Sequence, residues 1–331
     1  MGRQLVGSPE PACLLSHDRI NQPEARRLKI RILGSAAGGG FPQWNCNCPN
    51  CHGLRSGSIR AQARTQSSIA VSENGVDWVL INASPDILAQ IRAFPALQPA
   101  RFVRDSGICA VLLMDAQIDH VTGLLMLRER SSRLPVHATD QVFGDLSYGL
   151  PLLDVLEHYC GTERHSILPD QSAFRISPLQ TTEFRAIALE SKAPPYSPHR
   201  NNPHPGDNIG LEIVDAGSKR SLVYAPGLGA ISPPVQSAMQ RADVVLVDGT
   251  FWTENEMITL GLSSKPATAM GHLPQSGRGG MIEVLDTLPA ARKILIHINN
   301  SNPILREDSP ERAILAEHGI EVATDNMEID L

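Results

Sequence analysis

The sequence predicts an α/β protein, two β-sheets stacked face to face and covered outside by helices (αββα). Three observations point there: hydrophobic runs of strand length alternate with turn residues and amphipathic stretches, the runs fall into two groups, and helical patterns lie between or after members of the second group. Run 28–33 opens the domain as a strand. Runs 68–71 and 76–81 flank Glu73-Asn74-Gly75, whose Asn-Gly pair signals a hairpin. Run 108–114 is apolar throughout and predicts a buried strand, with a helix over 121–130 behind it. Runs 182–189, 209–214, 221–225, 242–247 and 293–298 form the second strand group, with helices over 235–241, 280–288 and 310–318. No internal repeat is found. Residues 1–27 carry Pro and Arg without periodicity and read as a mobile extension, leaving 28–331 as one domain.

Composition excludes several classes. A chain of 331 residues with 42% hydrophobic residues can bury a large core. Net charge is −6 and no Lys- or Arg-rich block occurs, so a broad nucleic-acid footprint is not expected. No apolar stretch approaches the about 20 residues needed to span a bilayer. The run 11–15 is too short for a signal-peptide core, so the expected location is the cytoplasm.

Cysteine placement agrees. Three of the six sit in Cys46-Asn47-Cys48-Pro49-Asn50-Cys51, while Cys13, Cys109 and Cys160 are scattered. A disulfide framework would spread them over a small secreted chain; this spacing brings three thiolates into one turn, as a closed structural zinc site requires. Pro49 and the preceding Gly38-Gly39-Gly40 mark the segment as loop, a zinc-binding insertion over 44–52. The alternative is three reduced surface thiols. The fourth ligand must come from elsewhere.

Gly34-Ser35-Ala36-Ala37-Gly38-Gly39-Gly40 after a strand invites a dinucleotide reading, but Gly-x-Gly-x-x-Gly is not met and cysteines follow where a helix would. The glycines are expected to let the backbone pass close to the zinc turn and the site.

Beyond the buried run stands Asp115-Ala116-Gln117-Ile118-Asp119-His120. It resembles half of the His-x-His-x-Asp-His motif of the metallo-β-lactamase superfamily, in which the first two His bind one metal and the Asp-His pair a second. The pair survives as Asp119-His120; Asp115 and Gln117 replace the histidines, and an amide is a poor ligand beside imidazole. One metal is therefore expected rather than two. The block 32–51 (ILGSAAGGGFPQWNCNCPNC) resembles the signature of the PqqB family of pyrroloquinoline quinone (PQQ) biosynthesis. Supporting matches are 191–196 (SKAPPY), 206–211 (GDNIGL), 224–227 (YAPG), 248–252 (DGTFW), 270–274 (MGHLP) and 296–300 (IHINN), so the likeness runs from about residue 28 to the C-terminus.

This resemblance implies a metallo-β-lactamase-like fold, and each motif then has a reading. His204 is the candidate for the third motif's metal histidine, with His199 nearly as good. The bridging aspartate is missing, because the matching run is Tyr224-Ala225-Pro226-Gly227. His297 stands where the last metal histidine follows the final core strand. Asp119, His120 and His297 thus remain as one complete set, a facial triad with open positions that suits iron(II), with zinc or manganese able to stand in. Asp115 and Asp248 sit at strand ends near the mouth, to add a carboxylate or to orient a ligand; Asp248 also reads as a turn cap before Gly249-Thr250. His272 occupies the place of a proton-donating histidine in phosphodiesterase relatives. Where a related branch completes its zinc site with histidine this chain has Asn300, so Asn300, His52 or water are the options for the fourth position.

The function implied is PQQ biosynthesis, as metal-dependent oxygenation of the tyrosine ring in a Glu-Tyr-derived intermediate. Lys192, Arg200 or Arg278 would pair with its carboxylates. A non-catalytic carrier of PQQ or its precursor towards the periplasm is the competing reading, and a zinc hydrolase the third. Expected partners are the small-molecule precursor, dioxygen, PQQ itself in the carrier reading, and a second copy of the chain as a homodimer; nucleic acid and membrane are not expected.

Overall fold

The computed structural model describes residues 2, 27–290 and 292–331. The extension expected over 1–27 therefore lies almost wholly outside the described residues. Thirteen strands occur among those described: β1 (Lys29–Gly34), β2 (Ser68–Ser72), β3 (Trp78–Ile81), β4 (Ile108–Leu112), β5 (Leu134–Ala138), β6 (Thr162–Ser166), β7 (Thr182–Ala188), β8 (Ile209–Asp215), β9 (Ser221–Ala225), β10 (Val244–Asp248), β11 (Arg292–Ile296), β12 (Ile320–Val322) and β13 (Glu328–Asp330). They form a seven-stranded sheet in the order β13-β1-β2-β3-β4-β5-β6 and a six-stranded sheet in the order β12-β11-β10-β9-β8-β7.

The two-group reading of the sequence has a direct physical basis in the core. Alternate residues of both sheets face each other: Ile30 and Ile32 of β1, Ala110 and Leu112 of β4, Leu211 and Ile213 of β8, Leu246 of β10 and Ile294 of β11 fill the space between them. The other set faces outward under helices, Val111 and Leu113 with Ile87, Leu124 and Leu156 on one side, Val245 and Leu295 with Met239, Leu285 and Leu315 on the other. Strands covered on both faces carry no polar alternation, which is why run 108–114 is apolar throughout.

Three helices match the sequence reading within a residue or two: Pro233–Arg241, Met281–Asp286 and Pro310–Glu317. The helix expected over 121–130 does not form as one piece. A short turn of α-helix at Ile118–Val121 passes into a 3₁₀ segment, Thr122–Leu127, because Gly123 is drawn against the backbone, its N–H donating to the Ala83 carbonyl at 2.9 Å. Nor is 44–52 all loop. Pro49 starts a helix, Pro49–Ser56, with Cys48 as N-cap and left-handed Gly57 ending it.

The β2–β3 turn joins the sheets at the edge remote from the β11 loop. Gly75 takes the left-handed conformation expected of the Asn-Gly pair, and Glu73 turns inward to accept from the backbone N–H groups of Gln180 (2.7 Å), Thr181 (2.7 Å) and Thr182 (3.1 Å) at the start of β7. Burial alone would raise the Glu73 carboxyl, but these donors outweigh it and hold it below its ordinary value. Replacing Glu73 with Ala leaves the donors unpaired and should lower stability by about 2 kcal/mol at pH 7. Because the folded-state pKa is depressed, the contribution is present above the unfolded value and lost as pH falls through the folded one. The gap between parent and variant in urea unfolding should therefore be full at pH 7 and narrow as pH falls below the ordinary glutamate range; a gap that stays constant through acid unfolding conditions would contradict this.

Candidate functional site

Four segments leave strand ends at one edge of the sandwich: 35–41 after β1, 113–120 after β4, 249–252 after β10 and 297–302 after β11. Two short backbone bridges cross between the sheets here. Ala36 pairs with Ile298 and Asp115 with Asn208, with Ala37 N–H donating to the Ile298 carbonyl (2.9 Å) and Ile209 N–H to that of Met114 (2.9 Å). Gly38 passes so close that a Cβ there would lie 3.0 Å from Asp119 Oδ2, whereas Gly39 and Gly40 lie against Gln43 and the Arg64 carbonyl rather than the cysteine turn.

Asp119, His120 and His297 meet at this edge, one ligand atom from each lying within 4.8 Å of the others. The Nε2 atoms of His120 and His297 stand 3.7 and 3.6 Å from Asp119 Oδ2, too far for hydrogen bonds. His120 Nδ1 lies 2.8 and 2.9 Å from the two oxygens of Asp115, and its Nε2 is buried without any partner. A buried nitrogen left bare beside a carboxylate and a second imidazole is what a borderline metal would complete. His297 reaches the group from a left-handed backbone conformation, φ 60°, uncommon for a residue with a side chain and concentrated at functional sites. Burial alone would lower the His120 pKa, yet Asp115 and Asp119 push it up to about 9. Asp119, whose burial would raise it, is instead held well below the carboxylate range by His120 and His297.

His272 stacks on His297 with ring centroids 5.4 Å apart, and its Nδ1 lies 2.6 Å from Asp248 Oδ2. Asp248 is fully buried and also accepts from Leu228 N–H and Thr250 N–H, both at 2.8 Å. The turn-cap and site readings of Asp248 thus coincide in one carboxylate. Asp248 and the charge of Asp119 raise the His272 pKa against the desolvation that lowers it.

Asp115, Asp119, His120, His272 and His297 line a cavity of about 300 Å³ that Lys192, Arg200 and Lys265 also line. Arg278, expected with them, is exposed and not part of the lining. Lys265 and Thr250 were not foreseen; Thr250 lies inside the 248–252 match, but Lys265 has no signal in its neighbourhood.

His204 is not brought to the active-site group, contrary to expectation. It lines a neighbouring cavity, stacked on His199 at 4.3 Å, because Asp207 accepts both from its backbone N–H (2.7 Å) and from His199 Nδ1 (3.2 Å) and pins the pair to the loop.

The cysteine turn is buried, not a set of surface thiols. Cys46, Cys48 and Cys51 are 8, 6 and 0% exposed, with sulfurs within 4.8 Å of one another. Asn300 Nδ2 sits 3.0, 3.6 and 3.3 Å from the three sulfurs; the same amide turned over presents Oδ1 there, a donor atom for a cation. His52 is exposed and outside the group. Desolvation pushes the Cys48 thiol up to about 12. Cys46, despite the same desolvation, is held below its ordinary value by hydrogen bonds from Cys48, Cys51 and Asn300. Three crowded thiols cannot all ionise without a cation between them, and a soft tetrahedral metal suits this donor set.

The Beta-lactamase superfamily domain model matches residues 77–298. The chain is 63% identical over 302 residues to coenzyme PQQ synthesis protein B of Cupriavidus taiwanensis, covering 91% of this chain and 99% of that protein. It belongs to the PqqB family. The PqqB of Methylobacillus flagellatus is 59% identical over 305 residues, covering 92% of this chain and 100% of the relative. The crystal structure of Zn(2+)-bound PqqB from Methylobacterium extorquens superposes with a TM-score of 0.82 at 35% identity, covering 92% and 100% of the two chains. A diphosphatase of the PhnP family, at 18% identity and TM-score 0.64 with 92% and 97% covered, shares the fold. The metallo-β-lactamase-like αββα architecture expected from the resemblance is thereby shown. Among the described residues no helix is long and apolar enough to cross a membrane.

The cysteine geometry predicts that Cys48→Ser releases about one zinc per chain and lowers the melting temperature, since thiolate–zinc binding energy is folding energy. Elemental analysis with calorimetry checks it; full zinc retention with unchanged melting is the contrary result.

Proposed function

We propose that this chain acts in PQQ biosynthesis as a metal-dependent oxygenase of the tyrosine ring in a Glu-Tyr-derived intermediate. Asp119, His120 and His297 would hold one iron(II), and Cys46, Cys48, Cys51 and Asn300 a structural zinc. The observation that carries the reading is the meeting of one carboxylate and two imidazoles within 4.8 Å in a cavity also lined by three cationic side chains. Iron(II) bound by such a facial triad supplies dioxygen activation with positions left for substrate.

The chain's own residues do the rest. Asp115 takes the Nδ1 hydrogen of His120 and so leaves Nε2 bare for a ligand role. Lys192, Arg200 and Lys265 face the cavity and would pair with the carboxylates of an amino-acid-derived substrate, Arg200 in two-pronged fashion. His272, backed by Asp248 at 2.6 Å, keeps its Nε2 free to hold or take a proton at the mouth. Asp115 stands where a hydrolase has its first metal histidine and is committed to His120, which counts against a dinuclear zinc hydrolase.

The test is metal analysis joined to oxygen consumption with the tyrosine-derived intermediate. His120→Ala and His297→Ala should lose iron and oxygen uptake while keeping the cysteine zinc, since the sites draw on different segments. Normal PQQ yield from a strain complemented with His120→Ala would reject the catalytic reading in favour of a carrier. Two active-site equivalents of similar affinity, beyond the cysteine zinc, would contradict the mononuclear assignment.

A further inference from the structure

We propose that the Thr250 hydroxyl is the positioning group of the metal centre: it accepts the Nδ1 hydrogen of His297, gives its own hydrogen to Asp248, and so leaves the Nε2 lone pair of His297 facing Asp119 and His120. Thr250 is 2% exposed, and its Oγ1 has four polar neighbours: Asp248 Oδ1 at 2.6 Å, the His297 carbonyl at 2.9 Å, His297 Nδ1 at 3.0 Å and His272 Nδ1 at 3.1 Å. A hydroxyl has one hydrogen and two acceptor sites. The carboxylate and the carbonyl are acceptors only, and they compete for that hydrogen. The carboxylate wins, because a charge-assisted bond is the stronger and its distance the shorter.

With its hydrogen spent on Asp248, Thr250 can only accept from an imidazole. His272 Nδ1 has the better acceptor in Asp248 Oδ2 at 2.6 Å. The hydrogen that Thr250 accepts is therefore the one on His297 Nδ1, which sets that ring in the Nδ1–H form. The opposite form would place a hydrogen on His297 Nε2, whose separation of 3.6 Å from Asp119 Oδ2 is too long for it to be used. Asp248 thus governs two imidazoles at once, His272 directly and His297 through one hydroxyl.

This rests on the ligand assignment above but not on the oxygenation chemistry, so the probe is Co(II) titrated into the full-length protein with its cysteine zinc in place. Thr250→Val, nearly the same shape without the hydroxyl, should weaken Co(II) binding by about 10- to 100-fold and alter its visible spectrum. Thr250→Ser should stay within about threefold of the parent. Equal affinity and spectrum for Thr250→Val, or a Thr250→Ser as weak as Thr250→Val, would overturn the proposal. A His120→Ala control that still binds Co(II) like the parent would instead condemn the ligand assignment. Should Thr250→Val fail to fold, long-range ¹H–¹⁵N correlation of the imidazoles in the parent before Co(II) is added decides: His297 with its hydrogen on Nδ1 is expected, and on Nε2 overturns the proposal.

Discussion

Everything at the functional edge depends on two backbone bridges between the sheets. Hydrophobic burial between β1–β4 and β8–β11 holds the layers together but has no direction. Hydrogen bonds do. The pairing of Ala36 with Ile298, and of Asp115 with Asn208, sets the loops after β1 and β4 in register with those after β11 and before β8. That register brings Gly38 against Asp119, and Asp119 within reach of His297.

Around that frame runs one repeated device, an imidazole whose Nδ1 is occupied by an oxygen behind it. Asp115 serves His120, Asp248 serves His272 and Thr250 serves His297. The arrangement gathers the buried Asp115 and Asp248 and the partly buried Asp119 close together. Buried carboxylates are unfavourable without nearby positive charge. Lys192, Arg200 and Lys265 bring positive charge to the same cavity. The edge thus sets carboxylates, imidazoles and cationic side chains around one cavity.

Much of this was legible in the sequence, and the gaps have physical causes. Nine strands announced themselves through runs of apolar residues, buried on both faces in β3, β9 and β10 and at alternate positions in β1 and β7. β6 (TERHS) was missed because its residues are mostly exposed, β5 because it is short and contains Pro135, and β12 and β13 because three residues carry no periodicity. Asp119-His120 and His297 were readable through the resemblance to the superfamily's metal motifs, which place such residues on the loops that follow buried strands. His204 misled for a local reason: a histidine in a polar loop looks alike whether it faces a metal or, as here, is stacked on His199 and held by Asp207. Lys265 left no trace at all, since a lone lysine gains meaning only from the wall that it stands in.

The segment after β11 ties both centres to one short stretch of chain. His297 faces the cavity, Asn300 reaches three sulfurs, and Asn302 anchors the same stretch to the Gly249 and Thr250 carbonyls. Such a stretch tolerates exchange of side chains better than change of length, because one inserted or deleted residue between His297 and Asn300 would misplace one end whichever end it spared. The spacing between the two groups is therefore fixed by whichever of them is kept. A lineage could abandon the chemistry of one by point substitution and still keep the spacing that the other demands.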